Sequence, residues 1–167
     1  SVTTNANMND DDAFSQANEY GDIVPSDVYA ILDNVNLLVM KYIALRNPGV
    51  LSQARQMKAE SVSGKTPNHA YGQLMNLSDL TDKLLAKVQL LPMKRTFRKT
   101  GKAIPAEVYL QATNNLDALV ELMSKLQPDD NWGDYYGKHK YSSPKVPSDV
   151  YAYAKLLVDR LNLVLQG

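Results

Sequence analysis

Four proline-led stretches of similar pattern constrain this chain more than any other feature. They are Val24-Pro25-Ser26-Asp27-Val28-Tyr29, Thr66-Pro67-Asn68-His69-Ala70-Tyr71, Ile104-Pro105-Ala106-Glu107-Val108-Tyr109 and Val146-Pro147-Ser148-Asp149-Val150-Tyr151. Proline suits the first position of a helix, where its missing N–H would have had no intrahelical partner. Two residues on stands Asp27, His69, Glu107 or Asp149. A carboxylate there faces the free N–H groups and the positive end of the helix dipole. His69 is the departure from this rule, and it raises the question of a role beyond helix initiation.

Each stretch opens an amphipathic run. The pattern predicts helices over about Pro25–Arg46, Pro67–Leu91, Pro105–Gln127 and Pro147–Leu165. The first carries its apolar stripe on Val28, Ile31, Leu32, Val35, Leu38, Val39 and Tyr42. Asn47-Pro48-Gly49, Pro92 and Pro128 supply stops for the first three. The prolines lie 42, 38 and 42 residues apart, so Pro25 to Pro105 and Pro67 to Pro147 both span 80. That spacing reads as an internal repeat of two duplicated helical hairpins with long connections. A solenoid is the competing arrangement, but four helices suffice to close one core. The expected fold is therefore an all-α four-helix bundle over residues 23–167, running up-down-up-down because sequential helices usually pack antiparallel. The connections are long enough to retrace a helix, which leaves parallel arrangements open. In the first of them, Val50, Leu51, Ala54 and Met57 can form a short amphipathic turn. Residues 1–22 are polar, hold Asp10-Asp11-Asp12 and lack an apolar period, and are expected to form a flexible acidic arm. The three aspartates do not follow an EF-hand spacing.

Charge and composition remove several functions. Eighteen basic and eighteen acidic residues leave no net charge, which disfavours nucleic acid as a partner. No cysteine is present, so disulfides, thiolate catalysis and thiolate metal sites are excluded. Neither His69 nor His139 follows a glutamate at the spacing a di-iron bundle needs. Met40, Met75 and Met123 read as core filling rather than haem ligands. No nucleophile elbow or phosphate-binding glycine loop occurs, so the chain reads as a non-enzyme with no cofactor and no metal. Apolar runs are interrupted by polar residues, and no transmembrane segment is expected. The polar, small-residue start and the cysteine-free composition suggest a periplasmic or secreted protein.

Two connections carry candidate binding residues. Lys94, Arg95, Arg98, Lys99 and Lys102 form a basic run around Phe97, readable as a patch for an anion or acidic partner, with Arg95 and Arg98 as bidentate contacts, or as a solvated loop. Residues 129–141 hold Trp132, Tyr135, Tyr136, His139 and Tyr141 between glycines and charges. Such aromatics either fold back over the bundle as a lid or recognise a protein or small-molecule ligand. The resulting expectation is a binding or interaction module acting through this loop. The alternative is a small-molecule or cofactor carrier that uses the bundle core, with amides such as Asn34, Asn114, Asn115 and Asn162 lining a cavity.

Overall fold

The computed structural model describes residues 22–96 and 101–166, all helix or irregular connection. The acidic arm up to residue 21, with Asp10-Asp11-Asp12, and the patch residues Arg98 and Lys99 lie outside the described residues. Four long helices and one short one follow in order: α1 Pro25–Arg46, α2 Leu51–Gln56, α3 Pro67–Lys87, α4 Pro105–Leu126 and α5 Pro147–Gln166. Every long helix begins at its proline. Asp27, Glu107 and Asp149 reach back to accept the backbone N–H groups of Val24, Ile104 and Val146 at 3.0, 2.8 and 2.8 Å. In α3 the imidazole of His69 does the same, its Nδ1 accepting the Thr66 N–H at 3.0 Å. Thr66 completes the cap by accepting the His69 N–H at 3.3 Å. The histidine that broke the acidic rule is thus a helix cap.

The helices do not alternate in direction. Pro25, Pro67, Pro105 and Pro147 converge, together with Val28, Ala70, Val108 and Val150, around one cavity of about 30 Å³. All four N-termini therefore share one end, and the bundle is parallel. This corrects the up-down-up-down expectation, and with it the two hairpins, since a hairpin requires antiparallel partners. Around the bundle the order is α1, α4, α3, α5: α1 and α3 each pack against both α4 and α5, and the pairs α1/α3 and α4/α5 are diagonal. Residues 47–66 and 127–146 join diagonal helices, whereas the shorter stretch 88–104 joins neighbours.

Parallel packing puts equal positions at equal heights, and burial follows that rule. Counted from each proline, the third residue is Val28, Ala70, Val108 or Val150, and the seventh is Leu32, Leu74, Ala112 or Ala154; all eight are buried. The tenth (Val35, Leu77, Asn115, Leu157), the fourteenth (Val39, Thr81, Leu119, Leu161) and the seventeenth (Tyr42, Leu84, Leu122, Val164) are buried as well. Steps alternating between three and four residues are the a/d spacing of coiled-coil packing.

The connections are tied to the helices they cross. Ala54 of α2 is buried, and Arg160 of α5 donates to the carbonyls of Ala54 and Met57 at 3.0 and 3.2 Å and to Asn36 Oδ1 at 2.6 Å. Burial lowers the Arg160 pKa. On the second connection Thr96 donates through N–H and Oγ1 to Gln111 Oε1 at 2.7 and 2.9 Å. Gln111 and Asn115 in turn hydrogen-bond Ser78 at 2.9 and 3.2 Å inside the α3–α4 seam.

Among the described helices, α1 is long and apolar enough to cross a membrane, with a mean hydropathy of 1.4 over its best window. Half of that window is buried within the protein, where the same apolar residues form the core.

Candidate functional site

At the proline end three of the four helix seams share one construction. In each, the residue after a helix's proline accepts the backbone N–H of the residue two before the neighbouring helix's proline. Ser26 Oγ of α1 takes the Lys145 N–H that leads into α5, at 2.9 Å. Ser148 Oγ of α5 takes the Lys65 N–H that leads into α3, also at 2.9 Å. Asn68 Oδ1 of α3 takes the Ala103 N–H that leads into α4, at 3.2 Å. The fourth pair would join α4 to the chain entering α1, that is Ala106 to Ile23. Alanine has no side-chain acceptor, so this rung cannot form.

The seam without a rung is open. Between α1 and α4 lies a groove of about 980 Å³, floored by Ala30, Ile31, Tyr109, Thr113 and Leu116 and entered past Ile23, Val24, Ser26 and Asp27. Residues 136–145 form its outer wall. That wall is held on both sides. Tyr136 donates to Asp117 of α4 at 2.6 Å, and Asn34 Nδ2 of α1 donates to the Gly137 carbonyl at 2.8 Å. Because the Asn34 amide nitrogen is the donor there, its Oδ1 is the acceptor for His139 Nε2 at 3.0 Å, which places the imidazole proton on Nε2. Tyr141 and Tyr153 both donate to the Asp33 carboxylate, at 2.5 and 2.6 Å. Burial, followed by the hydrogen bond to Asp33, raises the pKa of both phenols above the ordinary tyrosine value. Lys145 lies over the rings of Tyr29 and Tyr141 at 4.4 and 5.1 Å.

The aromatic loop thus divides into two parts. Trp132 is 5% exposed, and its Nε1–H donates to the Gln127 carbonyl at 2.8 Å. Its ring packs on Tyr135 at 5.4 Å, with Lys41 of α1 at 5.8 Å. Trp132 is a packing group in a 3-10 turn, Trp132–Tyr136, and Tyr135, half-buried, lies against it. Tyr136, His139 and Tyr141 are the part that reaches the groove. The described residues of the basic run, Lys94, Arg95 and Lys102, do not line the groove. Arg95, expected to grip an anion, is engaged by Asp79 and Asp82 at 3.1 and 2.6 Å, while Lys94 and Lys102 are exposed.

Groove residues that sequence reasoning did not single out are Ser26, Thr113, Lys138, Lys140 and Lys145. The usable signal was Ala106, the one apolar residue in a series otherwise made of Ser26, Asn68 and Ser148. His69 is spent on its cap, where its Nδ1 lies 3.0 Å from the Thr66 N–H and 3.1 Å from the Thr66 hydroxyl, and His139 is bonded to Asn34. Among the described residues no group of three histidine, aspartate or glutamate side chains is placed to hold a metal ion. No family model, curated protein or solved structure matches this chain.

Proposed function

We propose that this chain is a non-enzymatic binding module whose recognition site is the α1–α4 groove, and that its ligand is an extended, acidic segment of polypeptide. One observation carries the reading. Stretches of irregular chain are bonded across three of the four seams at the proline end, and the fourth is left as a groove of about 980 Å³. A groove between two amphipathic helices, with apolar floor and hydrogen-bonding walls, suits an irregular backbone of the kind that closes the other seams. Lys138, Lys140 and Lys145 on the wall favour acidic side chains. Tyr136, His139 and Tyr141 act here as wall residues, and Trp132 and Tyr135 support the wall from behind.

The alternative of a carrier using the bundle core finds less support. The cavity on the axis at the proline end measures about 30 Å³, room for one water, against the roughly 300 Å³ or more of a small-molecule site.

The test is a titration of isotopically labelled protein with short acidic peptides and with neutral peptides of the same length. Binding by the acidic set should shift the amide signals of Tyr109, Thr113 and Ser142–Lys145, weaken with salt, and disappear in a Thr113→Trp variant that fills the groove. Shifts confined to other seams, or equal binding by neutral peptides, would contradict the proposal.

A further inference from the structure

Resting on the reading of the groove as a site for an acidic extended segment, we infer that the site continues over the proline end. There a dimple on the bundle axis seats one aliphatic side chain of the same ligand. The dimple comes from a single departure in the repeat. In the first buried layer after the prolines, α1, α4 and α5 carry Val28, Val108 and Val150, whereas α3 carries Ala70. The two methyl groups that valine would add are missing on α3 alone. An open depression of about 30 Å³ remains, lined only by valine, proline and alanine. A water there would find no hydrogen-bond partner in the lining side chains, so the depression favours a hydrocarbon group of methyl size.

The surroundings of the dimple tie it to the groove and set the chemistry of its occupant. Val24 lines both, so a chain lying between α1 and α4 meets the dimple as it passes the start of α1. Val24, Ile104 and Val146, the residues before three of the prolines, stand about half exposed at this end and extend its apolar surface. Asp27, Glu107 and Asp149 accept the N–H groups of those same three residues and place carboxylates beside them. Lys65 and Lys145 turn away from this end, onto the rings of Tyr151 and Tyr29 at 4.6 and 4.4 Å. An acidic side chain is therefore disfavoured at the proline end and belongs on the wall with Lys138 and Lys140. The ligand is divided accordingly: acidic where it follows the wall, and valine, leucine or isoleucine where it crosses the prolines. An aromatic ring is too wide for the depression.

Peptides of four glutamates with blocked termini, carrying leucine or alanine at one end or the other, provide the test on the full chain. One leucine peptide should bind about tenfold or more tightly than its alanine counterpart, the usual worth of methyl groups in an apolar pocket. It should shift the methyl signals of Ala70 and Val150 together with the amides of Tyr109 and Thr113. Ala70→Val gives α3 the residue of the other three helices and fills the dimple. That variant should fold, keep salt-sensitive binding, and bind leucine and alanine peptides equally; should it fail to fold, the comparison on the unaltered chain still decides. Equal binding by the unaltered chain, with Tyr109 and Thr113 still shifting, would overturn the dimple and leave the reading of the groove standing. No binding by any of these peptides would overturn both. A leucine advantage that survives in Ala70→Val, or methyl shifts without shifts in the groove, would also overturn the inference. Methyl shifts that grow with the concentration of the chain alone would make a second copy the occupant and overturn it as well.

Discussion

Trp132 shows how a residue with the composition of a recognition group becomes a structural one. Its indole N–H is satisfied by the Gln127 carbonyl and its ring is covered, so emission should be blue-shifted and resistant to iodide. Trp132→Ala should destabilise the fold by about 3 kcal/mol in denaturant unfolding, the cost of emptying a packed aromatic site. Red-shifted, quenchable emission would contradict the packing. The tyrosines on Asp33 give a second expectation. Their pKa values are raised in the folded state, whereas an unfolded tyrosine ionises near pH 10. Their stabilising contribution is therefore complete below about pH 10 and is lost as pH rises beyond it, because only the unfolded chain gives up those protons readily. The melting temperature should fall steeply above pH 10, and Tyr153→Phe should shallow that fall. At this scale the helix caps were legible, since Asp27, Glu107 and Asp149 act at the position their spacing implies. Asn34 and Gln111 were not, because their partners lie on distant connections that no periodicity places.

Elements end where backbone conformation changes, and α3 illustrates a stop that composition conceals. The helix closes at Lys87, short of the expected Leu91, because Gln89 adopts a left-handed φ of 60°. The Gln89 N–H then reaches the Ala86 carbonyl at 3.1 Å and the Leu90 N–H reaches the Leu85 carbonyl at 3.0 Å. This is the reversal that glycine normally provides, and with glutamine in its place the sequence gives no sign of it. Gln89→Gly should raise stability by about 1 kcal/mol by relieving the left-handed strain, read as a shift in the denaturant midpoint; a loss of stability would refute the strain. The rungs between seams are testable in the same way. Ser148→Ala removes the acceptor for the Lys65 N–H and should cost about 1 kcal/mol, with faster amide exchange at Lys65. Unchanged exchange at Lys65 would show that this rung does not hold the connection.

The molecule as a whole is set by direction, and direction was the part of the fold least legible in the sequence. Amphipathic periodicity located the four long helices and most of their buried positions, but antiparallel and parallel bundles present the same apolar stripes. The discriminating signals were weaker. Burial recurs at identical distances from each proline, and the proline spacings of 42, 38 and 42 match two connections across diagonals and a shorter one between neighbours. Four helix dipoles then point the same way, an arrangement with like ends together. Three carboxylates and one imidazole at the shared N-terminal end offset it. The candidate groove follows from this arrangement, because only a parallel bundle brings four proline segments to one end and leaves one of the four seams without its rung. The central claim is tested by spin-label distances in a chain that offers no native cysteine. Val24→Cys paired with Ile104→Cys marks the starts of two neighbouring helices at positions 50% and 44% exposed, and Arg46→Cys paired with Ile104→Cys marks opposite ends. The parallel bundle predicts a short distance for the first pair, set by neighbouring axes about 10 Å apart, and a distance longer by roughly the helix length for the second. The reverse order, with Arg46 close to Ile104 and Val24 far from it, would contradict the parallel bundle and the groove argued from it.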